Sequence, residues 1–184
     1  MTRLILLNGP PGVGKSTLAT RYAAEHPGTL RCDIDVLRTM IGGWEDDYAG
    51  AGGLIRPAAL GLIAAYLQES GDVVLPQLIA RPTELAKFER AASDAGAEFV
   101  HVLLLAGPET CHVRFEARGT DQPHLRATRQ TVDEAGGVEV VAGYRQALVE
   151  LAAGRPDTLQ VDASGSADQT YAAVLAAIGD LSPA

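Results

Sequence analysis

The segment Gly9-Pro10-Pro11-Gly12-Val13-Gly14-Lys15-Ser16-Thr17, directly behind the apolar run Leu4-Ile5-Leu6-Leu7, constrains this chain more than any other stretch. Through Gly9, Gly14, Lys15 and Ser16 it satisfies the pattern G-x-x-x-x-G-K-[ST]. The context is the one the pattern needs: an apolar strand before it and a helix-forming run after it. Glycines let the backbone curl until successive N–H groups converge on anionic oxygens. The N-terminus of the following helix adds its dipole. Lys15 then reaches the β- and γ-phosphates, and the Ser16 hydroxyl ligates Mg2+. Residues Gly9 to Thr17 are therefore read as a loop for a nucleoside triphosphate, with ATP and Mg2+ expected. The plain alternative is a glycine-rich turn with an incidental lysine, and the flanking strand and helix argue against it.

Beyond the loop, apolar runs alternate with segments of helical period. Strands are expected at Leu4 to Leu7, Thr29 to Cys32, Val73 to Leu75, Phe99 to Leu105 and Leu159 to Val161. Helices are expected at Lys15 to His26, Asp35 to Ile41, Leu54 to Glu69, Pro82 to about Ala95, Glu109 to Ala117, Val138 to Ala153 and Asp168 to Ile178. Gly42 to Gly53, rich in glycine and acid around Trp44 and Tyr48, reads as a mobile loop or an acceptor lid. Residues 119–136, polar and rich in Arg and Thr, read as a lid. Such alternation implies one α/β domain, a parallel sheet covered on both faces. Strands that do not alternate cleanly fit burial on both sides.

Chemistry beyond the loop starts after the second strand, in Cys32-Asp33-Ile34-Asp35-Val36-Leu37-Arg38. Ligands of open parallel sheets bind beyond the carboxyl ends of the strands, so Asp33 and Asp35 share a rim with the loop. A carboxylate there can take the proton of an attacking hydroxyl. Asp35 is the expected base, with Arg38 one turn later on the same side for a polar or anionic group of the acceptor. The bland reading makes Asp35 a helix cap paired with Arg38. Asp33 stands between an acceptor contact, a metal-water contact and a structural role.

The strand, the loop and the Asp35-x-x-Arg38 turn resemble the small P-loop kinases. Within them the chain looks most similar to the group that includes zeta toxins, chloramphenicol phosphotransferase and the kinase domain of bacteriophage polynucleotide kinase. The resemblance implies a three-layer P-loop fold, a five-stranded parallel sheet of order 2-3-1-4-5 and a small helical lid at about 112–136. It implies Asp35 as general base and Arg38 as the arginine for the acceptor. Lid arginines of the group close over the phosphates, and Arg114 and Arg118, four apart and so expected on one helix face, are similar. Cations so placed are worth roughly 10³–10⁵ in rate in related enzymes. Arg126 and Arg129 are rivals for that role. The loop after the last strand, near Ser164 and Ser166, is implied to flank the adenine, and either serine also suits a helix cap. One departure stands out: the third strand runs into Pro76-Gln77, where many P-loop enzymes carry a magnesium-associated aspartate. Gln77 and Arg81 then either contact the acceptor or are structural, and Mg2+ is held by Ser16, water and the phosphates alone or with help from an acid after the second strand.

Composition narrows the partners. A net charge of -8 repels a phosphate backbone, so nucleic acid is disfavoured without a local basic groove. No window approaches the ~18 consecutive apolar residues of a membrane span, and a cytoplasmic protein is expected. Cys32 and Cys111 lack metal-ligand spacing, and the four histidines form no motif. The reading is a kinase for a small hydroxylated acceptor, monomeric or homodimeric. A polynucleotide 5′-hydroxyl kinase and a nucleotide-dependent switch without a fixed acceptor are the alternatives.

Overall fold

The computed structural model describes residues 2–69, 71–119 and 121–179. In chain order the elements are β1 (Arg3–Asn8), α1 (Lys15–Glu25), β2 (Leu30–Arg31), α2 (Ile34–Arg38), α3 (Tyr48–Glu69), β3 (Val73–Pro76), α4 (Pro82–Asp94), β4 (Glu98–Leu105), α5 (Pro108–Glu116), α6 (Pro123–Glu134), α7 (Val138–Ala153), β5 (Leu159–Asp162) and α8 (Ala167–Ile178). All strand pairs are parallel. The sheet order is β2-β3-β1-β4-β5, as expected, with β1 in the centre.

Successive side chains of a strand point to opposite faces, and β1 divides its leucines and isoleucine accordingly. Ile5 and Leu7 join Leu18, Tyr22, Phe115 and Tyr171 in one core; Leu4 and Leu6 join Ile63, Leu67, Phe88 and Leu148 in the other. Every residue from Leu4 to Leu7 is at most 1% exposed. Burial on both faces explains why the strands read as unbroken apolar runs.

Two expectations change. The stretch 42–53 is not one loop: α3 already begins at Tyr48. The glycine at 52 answers to packing, because a Cβ there would lie 2.8 Å from Arg38 Nη2. Second, α3 is long and apolar enough, by length and composition, to cross a membrane. Here it lies against the sheet, with Ala59, Ile63 and Leu67 buried.

A buried polar junction fixes where β1 ends. Asn8, 0% exposed, accepts from the Gly9 N–H (2.9 Å) and the Ile79 N–H (3.0 Å) through Oδ1. With Oδ1 so identified, Nδ2 donates to the Ile79 carbonyl at 2.8 Å and to His101 Nε2 at 3.1 Å. His101 must then accept at Nε2 and donate from Nδ1 to Thr158 Oγ1, 3.0 Å away. That is the neutral imidazole, and burial lowers its pKa to about 4, aided by the charge of Arg155. In the unfolded chain the ring takes up its proton near pH 6.5. Stability from this junction is thus complete above about 6.5 and is lost as pH falls toward 4. We expect acid-induced unfolding followed by circular dichroism to show a shallower decline between these values in His101→Asn than in the parent chain. Equal slopes would remove His101 from the acid response.

Candidate active site

The phosphate loop leaves β1 at Asn8 and enters α1 at Lys15. Gly14 is the N-cap of α1 and has φ 108°, a region that favours glycine. Gly12 (φ 79°) is tied to a neighbour as well, because a Cβ there would meet the Cys111 carbonyl oxygen at 1.9 Å. The loop is thus pressed against α5 and can tolerate no side chain at that point. Lys15 Nζ folds back to donate to the Gly9 and Pro10 carbonyls, at 2.7 and 2.9 Å. Burial, with the charge of Arg118 second, lowers its pKa to about 8; Asp35 and Asp33 offset part of this.

Three clefts open from the loop. The first, about 240 Å³, lies between Lys15, Asp35, Arg38, Gln77, Arg56 and Tyr144. The second, also about 240 Å³, holds Ser16, Thr17, Asp33, Asp35 and His124. The third, about 330 Å³, runs past Gly12, Val13, Thr17 and Arg114 to Ser166 and Thr170. Arg118 borders all three.

The residues after β2 divide between the clefts. Asp33 is the N-cap of α2 and accepts from the Asp35 N–H at 3.1 Å. Expected beside the acceptor, it instead lines the second cleft with Ser16. Burial and the neighbouring Asp35 raise its pKa, and Arg31 and His124 offset part of this. Ser16 and Asp33 line the same cleft and are the residues that could hold a Mg2+ ion there. Among the described residues no cluster of three or more His, Cys, Asp or Glu could hold a metal on protein ligands alone. Asp35 is half-buried and faces the first cleft, its Oδ1 3.2 Å from Arg38 Nη2. The cap of this turn is thus Asp33, while Asp35 pairs with Arg38 and borders the second cleft as well as the first.

Arg38 is buried, its guanidinium 3.7 Å from the centre of the Tyr48 ring. Such a cation–π contact is worth about 2 kcal/mol where it is desolvated. The Tyr48 hydroxyl bonds Thr128 Oγ1 of α6 at 2.7 Å. One chain of contacts therefore runs from the expected base through Arg38 and Tyr48 to α6.

The arginine pair separates. α5 ends at Glu116, so Arg118 lies beyond it and the two do not share a helix face. Arg114 donates to the carbonyls of Ala163 (2.6 Å), Ser164 (3.1 Å) and Gly165 (2.6 Å). It braces the β5–α8 loop beside the third cleft. Arg118 faces the phosphate loop, its pKa lowered by burial and partly restored by Asp33 and Asp35. Arg129 donates to the Phe115, Glu116 and Arg118 carbonyls and so closes the C-terminus of α5. Arg126 points to the Asp121 carbonyl at 3.5 Å. Within the stretch 112–136 expected as a lid, Phe115 and Val132 are packed in the core, and Thr128 borders the first two clefts. Arg81, expected at the acceptor, is exposed at the N-cap of α4 and lines none of the three clefts. Ser166 caps α8 in a capping box with Gln169.

Sequence reasoning missed Asn8, Arg56, Thr128, Thr131 and Tyr144. Arg56 did leave a signal: it is the only charged residue between Asp47 and Glu69. The threonines and Tyr144 left none, since they meet the cleft only through the placing of α6 and α7.

A central parallel strand, its glycine loop and the order β2-β3-β1-β4-β5 define a P-loop protein of the small-kinase type. The chain belongs to the AAA domain family, whose sequence profile matches residues 4–137. Among solved structures it is similar to the Deinococcus radiodurans tunicamycin resistance protein, at 21% identity and TM-score 0.65, over 100% of both chains. It is also similar to a gluconokinase from Sinorhizobium meliloti 1021, at 18% identity and TM-score 0.61, over 96% of this chain and 91% of that one. At these identities the likeness is one of fold. No curated protein matches the sequence.

A lysine with a pKa near 8 gains a proton when a polyanion raises that value. ATP binding is expected to take up more protons at pH 8.5 than at pH 7.5, measured by calorimetry in buffers of differing ionisation enthalpy. Equal uptake at both values would separate Lys15 from the bound phosphates.

Proposed function

We propose that the protein is an ATP- and Mg2+-dependent kinase that moves the γ-phosphate to a hydroxyl of a small-molecule acceptor. One observation carries this reading: Asp35, Lys15 and Arg118 border one cleft together with Arg38, Gln77 and Tyr144. A nucleotide switch has no use for a carboxylate and further polar lining at that position. The whole cleft, its phosphate end included, is about 240 Å³, below the ~300–1,000 Å³ usual for small-molecule sites, which favours a compact acceptor.

In this mechanism the loop amides and Lys15 hold the triphosphate, with its base end in the third cleft. Mg2+, at Ser16 and Asp33, would supply neutralisation of phosphate charge. Asp35 accepts the proton of the acceptor hydroxyl as its oxygen bonds to the γ-phosphorus. The bond from that phosphorus to the bridging oxygen breaks, and ADP leaves. Arg118, at the junction of the clefts, stabilises the charge on the transferring group. Arg114 is assigned to the base end, not to the transfer. The Arg38 ion pair keeps the Asp35 carboxylate turned toward the cleft.

Asp35→Asn is expected to lower kcat by about 10²–10⁴, the usual contribution of a general base, and to leave ATP affinity within about twofold. Lys15→Ala is expected to weaken ATP binding itself. The measurement is γ-phosphate transfer across a panel of sugars, nucleosides and hydroxylated antibiotics, with nucleotide affinity determined in parallel. An Asn variant that transfers at the parent rate would end the base assignment.

A further inference from the structure

Charge in the first cleft does not balance. Lys15, Arg38, Arg56 and Arg118 border it against one carboxylate, Asp35. The chain as a whole carries -8, so this local surplus is not inherited from composition. Lys15 and Arg118 stand at the phosphate end, and Arg38 is paired with Asp35. Arg56 remains. Among the described residues no carboxylate forms an ion pair with it. Glu84 feels its charge, but that carboxylate is itself bound to Lys87 at 2.8 Å.

A second observation is independent of the charge count. Arg38 is 5% exposed, and its Nε and Nη1 are buried with no acceptor. Gln77 is 6% exposed, and its Oε1 is buried with no donor. Both side chains border the first cleft. Buried polar groups of a folded protein are nearly always paired, and unpaired ones at a cleft describe what a ligand must bring. Here it must bring oxygen acceptors for two separate guanidinium N–H groups and a hydrogen-bond donor for an amide oxygen. A neutral polyol satisfies those groups but leaves the Arg56 charge without a partner. An anionic group answers both, and planar guanidinium groups suit carboxylate and phosphate oxygens.

We propose that the acceptor carries an anionic oxygen group, carboxylate or phosphate, read by Arg56 with an unpaired N–H group of Arg38. Its reactive hydroxyl lies at Asp35, and a further O–H or N–H meets Gln77. This rests on the kinase reading for the role of the cleft, though not for the binding of the anion. Arg56 is then a specificity-determining residue, carried on α3, which contributes nothing to the phosphate loop.

The test measures binding by calorimetry in the presence of ADP and Mg2+, using matched pairs. Gluconate against glucose probes carboxylate. Glycerol 3-phosphate against glycerol, and uridine 5′-monophosphate against uridine, probe phosphate. At least one anion is expected to bind 30-fold or more tightly than its neutral partner. Arg56→Gln is expected to abolish that preference and to leave ADP affinity within twofold. Lack of preference in all three pairs overturns the proposal. So does an Arg56→Gln variant that keeps the preference, or one that weakens ADP and ATP rather than the anion. Transfer of labelled γ-phosphate is scored separately. An anion that binds through Arg56 without being phosphorylated sinks the kinase reading alone, and phosphorylation of neutral acceptors without preference sinks the anion proposal alone.

Discussion

The carboxamide of Asn8 is the contact on which the site is hung. It accepts twice and donates twice, so no hydrogen bond of the group is left over. Those four bonds hold the first residue of the phosphate loop, both polar groups of Ile79 and the His101 ring. The exit of β1 and the segment after β3 are thereby locked at one height, and Gln77 and Gly9 come to the same rim. A side chain of different length could satisfy one partner only, and each buried group left unpaired costs about 1–3 kcal/mol. The site depends on this anchor, since loop curvature and cleft width are both measured from it.

Against that rigid frame stands an electrostatic imbalance. The charge of Arg118 lowers the tendency of Lys15 to hold its proton, and Lys15 turns to the loop's own carbonyls. Triphosphate oxygens would take over those N–H groups and relieve the repulsion together. The cradle is thus better matched to a polyanion than to the unliganded state, which is how a preorganised site gains affinity without moving its backbone.

The fold was legible because its signals are local. Unbroken apolar strands, Pro82 and Pro108 at helix starts, and the glycine pattern each depend on neighbours a few residues away. The Asp33-to-Arg38 turn was legible for the same reason, though the division of labour between its two aspartates was not. That division depends on which cleft each side chain enters. Arg114 and Arg118 illustrate the limit more sharply. A spacing of four implies a shared face only while the helix lasts, and α5 stops at Glu116. Arg129 binds the last carbonyls there, thirteen residues away in sequence from the Glu116 oxygen it meets. Glycines at 50, 52 and 53 suggested flexibility, whereas Gly52 makes room for a guanidinium arriving from another helix.

The walls of the first cleft have separate origins in the chain. The triphosphate cradle is made by the β1–α1 turn, and the opposite wall by the beginning of α3, by α6 and by α7. Arg38, Tyr48 and Thr128 bind the second set to itself, from α2 through α3 to α6. Such a division lets ancestry conserve one half and rewrite the other. Drift or deliberate grafting in α3 and α6 can redirect the phosphate to a new recipient, and the donor machinery need not be rebuilt.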